Sequence, residues 1–102
     1  MTLTELLDKT EQVSSLYAKN HNINRDKDWF VFKLQEELGE LTQKYLMMSG
    51  RARKKGLTDE QIRKAFEEEV ADVFGQLLLL TKHYSIDLEK AMNEKWFVWL
   101  NK

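Results

Sequence analysis

The sequence predicts an all-α fold, a four-helix bundle in one domain spanning residues 1–102. Three observations carry that expectation. The 102 residues hold no proline and four glycines, and so few chain breakers favour long helices over a many-turned β fold. Apolar residues recur at spacings of three and four, the helical period, and nothing reads as a strand. Polar stretches separate these runs, and short connections between long amphipathic helices make sequential neighbours antiparallel.

The elements follow in order. Thr2 with Glu5 three residues on reads as a capping box. It opens a first helix to about Tyr17–Lys19, with Leu3, Leu6, Leu7, Val13 and Leu16 apolar. Asn20 to Asp28 is rich in Asn and Asp and reads as a loop. A second helix runs from about Trp29 to Ser49. Its stripe is Leu34, Leu38, Leu41, Tyr45 and Met48, and Gly50 is the expected stop. Ser49 to Gly56 is a basic loop. Thr58 with Gln61 opens a third helix to about His83, and Asp87 caps a fourth that runs to the chain end through Met92, Trp96, Phe97 and Leu100.

Composition narrows the function classes. With 42% apolar and 32% charged residues the chain is globular rather than disordered. A net charge of −1 argues against a nucleic-acid partner. The absence of cysteine excludes disulfides, thiolate zinc sites and a cysteine nucleophile. Apolar runs such as Leu77–Leu80 are far too short to span a bilayer. The N-terminal MTLTELLDK lacks a basic-then-apolar signal pattern, so a cytoplasmic protein is expected.

The third helix is unusual after Val70. Ala71, Val73, Phe74, Gly75 and Leu77 to Leu80 surround it on all sides. A helix apolar all round must be buried all round, which a small monomer can hardly do. A homo-oligomer, a homodimer or homotetramer, is therefore expected.

Asp72 sits within that apolar stretch, and a buried carboxylate needs a pairing partner, a proton or a metal. A helical wheel at about 100° per residue supplies company. Glu37 and Glu40 fall roughly 60° and 120° to one side of the second helix's stripe, and Glu69 and Asp72 roughly 55° and 115° to the same-signed side of the third. In an antiparallel pair such flanks open on one groove. Counted from the basic loop, the four residues also stand at similar height. Glu36 and Glu68 face away.

Converging carboxylates suit a hard divalent cation, magnesium first and manganese second. Neither His21 nor His83 has an acid three residues before it, so the Glu-x-x-His signature of di-iron bundles is absent. Magnesium on carboxylates commonly meets substrate phosphates, which suggests metal-assisted attack of water on phosphorus. Lys33 and Lys44 flank the acids and stand ready to meet phosphate charge. Alternatives stand beside each reading. Glu37 and Glu40 are also spaced to pair with Lys33 and Lys44. Arg53 and Lys54 read as a solvated loop or as phosphate contacts. Trp29 reads as a buried anchor or a base-stacking platform, and Trp96, Phe97 and Trp99 as core or oligomer interface.

These residues carry a family resemblance. Glu36–Leu41 (EELGEL) followed by Glu67–Val73 (EEEVADV) resembles the MazG-like nucleoside triphosphate pyrophosphohydrolases, whose pattern is Glu-x-x-Glu, a spacer, then Glu-x-x-Asp. The likeness continues into Ser85–Trp96 (SIDLEKAMNEKW). The resemblance implies an oligomeric all-α fold with Glu37, Glu40, Glu69 and Asp72 as metal-binding catalytic residues. It also implies magnesium-dependent hydrolysis of a nucleoside triphosphate to the monophosphate and pyrophosphate. The family's phosphate-contacting lysine falls on Lys95. Beyond it many members carry an Asn and one or more Arg, whereas this chain continues Trp96, Phe97, Val98, Trp99, Leu100. Competing expectations are a phosphoribosyl-ATP pyrophosphohydrolase-like enzyme and a non-catalytic helical oligomerisation module.

Overall fold

Four α-helices and a terminal 3-10 turn account for the ordered elements, and there is no strand among the described residues. The computed structural model describes residues 1–101. The helices are α1 (Leu3–Asn20), α2 (Lys27–Met48), α3 (Asp59–His83) and α4 (Leu88–Lys95), followed by the 3-10 segment Phe97–Asn101.

Local chemistry sets the helix ends. The Thr2 hydroxyl accepts the Glu5 N–H at 3.1 Å, while Glu5 receives the Thr2 hydroxyl proton at 3.2 Å instead of closing a reciprocal box. Asp26 caps α2 by accepting the N–H groups of Asp28 and Trp29. The helix therefore begins two residues earlier than hydropathy suggests. Gly50 ends it at φ +79°, a left-handed value natural for glycine, and this lets Arg51 donate back to the Leu46 carbonyl at 2.8 Å. Thr58 and Gln61 form a full capping box on α3.

The most extensive packing is of α2 along α3, and α1 packs on α3. Phe30, Met47, Ile62, Leu78 and Leu79 are buried, with Ala18 from α1. Phe30, near the start of α2, stacks on His83 at the end of α3 with ring centroids 4.1 Å apart. The Tyr84 hydroxyl donates to the Lys27 carbonyl at 3.3 Å. Arg25, in the loop after α1, grips Glu11 with two hydrogen bonds and adds Ser14 and Ser15.

Three expectations are corrected. The buried line of α2 is Phe30, Glu37 and Met47, with Leu34, Leu41 and Lys44 half-buried, while Leu38, Tyr45 and Met48 are exposed. Apolar side chains flank this line on both sides, and contact with α3, not hydropathy, selects which flank is covered. The fourth helix ends at Lys95, where the chain tightens into the 3-10 segment, and it packs on that segment rather than along the other helices. Asp72 is exposed rather than buried, and Val70, Phe74 and Leu77 on the opposite side of the same helix are exposed too, because α1 and α2 cover only part of the α3 surface. The radius of gyration is 16.5 Å, against about 13 Å for a compact chain of this length.

Candidate metal centre

Two helices deliver the acidic cluster. On α2, Glu37 lies inside the line that meets α3, and one turn on is Glu40. On α3, Glu69 and Asp72 stand one turn apart, so their side chains leave the same face. Carboxylate oxygens of Glu37, Glu69 and Asp72 all lie within 4.8 Å of one another. A second group, Glu36, Glu37 and Glu40, satisfies the same limit, so Glu37 is shared between the two, and Glu36, expected to face away, joins Glu40 beside it.

Burial is uneven across the cluster. Glu37 is only 8% exposed, Glu69 and Glu40 are half-buried, and Asp72 faces solvent. The Oε2 atoms of Glu37 and Glu69 are buried with no hydrogen-bond partner among the described residues. Buried carboxylate oxygens without partners are costly. Burial, then the charges of Glu40 and Asp72, push both the Glu37 and the Glu69 carboxyl above their ordinary range, against the pull of Lys33 on Glu37 and of Lys44 on Glu69. Lys33 reaches Glu36 at 3.2 Å and Glu37 at 3.7 Å. Burial lowers its proton affinity, but the neighbouring Glu36, Glu37 and Glu40 outweigh that and raise it overall.

The donor set fits a hard divalent cation. It offers oxygens alone: Glu37 and Glu69 each carry a dry, unpartnered oxygen, Asp72 faces solvent, and one oxygen of each residue lies within 4.8 Å of the others, close enough to share an ion with ligand distances near 2.1 Å. Among the described residues one lysine touches the cluster, so the local charge is strongly negative.

The cluster opens onto a cavity of about 720 Å³ between α1, the start of α2 and the middle of α3. Glu37, Asp72 and Lys33 form part of its wall, and Tyr17, Trp29 and Gln76 another part. Of the residues expected at the site, Glu37, Asp72, Lys33 and Trp29 line the cavity, while Glu40 and Glu69 stand beside Glu37 without lining it. The structure does not bring in Arg53, Lys54 or Lys95, none of which lines this cavity. Lys54 is paired with Asp59 at 2.7 Å, and Arg53 and Lys95 are exposed. Sequence reasoning missed the contribution of α1, chiefly Val13 and Tyr17, whose approach to α3 leaves no local mark. Gln76 carries a signal, since it lies one turn after Asp72 on the same face. No family model, curated protein or solved structure matches the chain.

Proposed function

We propose that the chain is a magnesium-dependent nucleoside triphosphate pyrophosphohydrolase of the MazG-like type, with manganese as an alternative ion. The observation that carries this reading is the convergence of Glu37, Glu69 and Asp72, with a buried unpartnered oxygen on each glutamate, beside a cavity of about 720 Å³ whose wall includes Glu37 and Asp72. Glu37, Glu40, Glu69 and Asp72 would hold the ion. When bound, a divalent ion neutralises phosphate charge and acidifies water beside the reacting phosphorus.

The chain's own residues do the rest. Water adds to the α-phosphorus, the bond to the bridging oxygen breaks, and pyrophosphate leaves. A carboxylate of the cluster takes the water's proton. Lys33, on the cavity wall, meets phosphate charge.

In this reading α2 and α3 are an antiparallel pair. Phe30 against His83 and Lys27 against Tyr84 support it, since each joins the start of α2 to the end of α3. The active form is a homodimer or homotetramer. Support comes from exposed Val70, Phe74 and Leu77, from the exposed Trp96–Leu100 segment, and from the open shape of the single chain. No helix is long and apolar enough to cross a membrane, and a nucleotide substrate goes with a cytoplasmic protein.

The test is pyrophosphate release from a panel of ribo- and deoxyribonucleoside triphosphates with magnesium and with chelator. Metal-dependent release of pyrophosphate is expected. No release from any triphosphate, with the carboxylates insensitive to added metal, would leave a helical oligomerisation module as the better account.

A further inference from the structure

Beyond the metal cluster the cavity changes character. Val13, Ile23 and Leu79 make it apolar, and Tyr17 and Trp29 supply aromatic surface. Trp29 is held firmly: its backbone N–H donates to the Asp26 carboxylate at 2.9 Å, its ring packs edge-on to Phe30 with centroids 5.1 Å apart, and the Arg25 guanidinium lies 6.0 Å from its centroid. Thr10, Ser14 and Gln76 interrupt this surface, and of the three Gln76 alone holds a buried atom without a partner among the described residues. Gln76 lines the cavity, and its Oε1 is buried with no hydrogen-bond partner among the described residues.

An unpartnered amide oxygen in an apolar wall is unfavourable until a donor reaches it. A primary amide carries a donor beside an acceptor, and a half-turn exchanges them. The complementary ligand is planar, apolar on its faces and able to offer a donor next to an acceptor along one edge. A nucleobase has that chemistry, and its faces stack on aromatic side chains. We propose that the groove between Tyr17, Trp29 and Leu79 seats the base of the nucleotide and that Gln76 reads its hydrogen-bonding edge. The proposal rests on the pyrophosphohydrolase reading and deepens it, because Asp72 and Gln76 stand one turn apart and carry the ligand from phosphate chemistry to base recognition along one helix face.

The experiment separates base binding from hydrolysis. The full-length protein in chelator is titrated with the 5′-monophosphates of cytidine, uridine, adenosine and guanosine, and with ribose 5-phosphate as a ligand without a base. The readouts are the side-chain amide resonances of Gln76 and the indole N–H of Trp29. Both sets of resonances are expected to shift with at least one nucleoside monophosphate and to stay put with ribose 5-phosphate. Gln76→Met keeps the length of the side chain and removes the amide. It is expected to weaken the preferred monophosphate about tenfold, as losing one net hydrogen bond does, with manganese affinity unchanged. Unshifted Gln76 and Trp29 resonances with all four monophosphates would overturn the base seat, and that measurement needs no variant. Equal affinity of Gln76→Met and the unaltered protein would overturn the role of Gln76 and leave its oxygen to water. Pyrophosphate release by the unaltered protein, assayed alongside, reports on the enzyme reading independently: release without base-dependent shifts sinks only the base seat, and base-dependent shifts without release sink only the hydrolase.

Discussion

The carboxylates of Glu37 and Glu69 approach across the α2–α3 packing line, each with its Oε2 buried and unpartnered, and both lie within 4.8 Å of an oxygen of Asp72. Such an arrangement opposes folding and favours cation binding for one physical reason. Negative charge is held at short range in a poorly solvated place, where repulsion and attraction are both strong.

Removing one charge should relax the metal-free fold. Glu37→Gln is expected to raise stability in chelator by about 1 kcal/mol, a gain of roughly 4–8 °C in midpoint. Asp72→Asn is expected to leave it unchanged or slightly higher, since Asp72 faces solvent. Both should abolish most of the magnesium-induced gain in midpoint and cut pyrophosphate release more than about 100-fold, the scale of losing an essential catalytic group. Thermal unfolding with and without magnesium checks this. A large loss of stability in chelator, with the magnesium effect intact, would identify salt bridging as the role of these acids.

The cluster also sets a pH dependence. Burial and then the charges of Glu40 and Asp72 raise the Glu37 and Glu69 carboxyls above the ordinary 4.5. The unfolded chain releases those protons at lower pH, so the folded chain holds more of them between the two values. Their stabilising contribution is complete below the unfolded value and is lost as pH rises through the folded one. In chelator the midpoint is expected to fall as pH rises just above the ordinary carboxylate range, and Glu37→Gln with Glu69→Gln should flatten that limb. Magnesium should reverse it, because the ion takes the deprotonated form. A limb of unchanged slope in the double variant would refute the assignment.

Glu11 titrates with the opposite sign. Its hydrogen bond from Arg25 outweighs burial and holds it below 4.5. That contribution is present above the unfolded value and lost as pH falls through the folded one. Arg25→Ala is expected to cost about 1.5–3 kcal/mol, the range for hydrogen bonds to charged groups, and to shrink the acid limb. Urea unfolding at neutral pH measures it, and a cost near zero would show that the pair does not fasten the loop.

An apolar face left bare in one chain predicts assembly. Phe74→Lys places a charge where Phe74 is 47% exposed in the single chain. If the face were simply solvated, the change would be close to neutral. The expected outcome is dissociation toward monomer in sedimentation, with reduced thermal stability. An oligomer of unaltered mass would move the interface elsewhere.

The sequence by itself determined the helices and most of their ends. The Thr58–Gln61 box, the cap at Asp87 and the stop at Gly50 are local hydrogen-bond and backbone effects, complete within a few residues, whereas the Asp26 cap was hidden in a stretch of Asn and Asp that reads as loop. The acidic cluster was also legible, because Glu37 with Glu40 and Glu69 with Asp72 repeat one helical turn, and a turn is a property of the helix alone. Tertiary structure decided which of these acids are dry. Hydropathy rotated the α2 stripe toward Leu38 and Tyr45, since no apolar pattern assigns a glutamate to a packing line. Contact with α3 instead covered Phe30, Glu37 and Met47 and left Asp72 in water. Tertiary structure likewise decided that α1 walls the groove with Val13 and Tyr17 and that Gln76 faces into it. Burial is a relation between elements distant in sequence, so the identity of a residue bounds its cost and only its neighbours fix it.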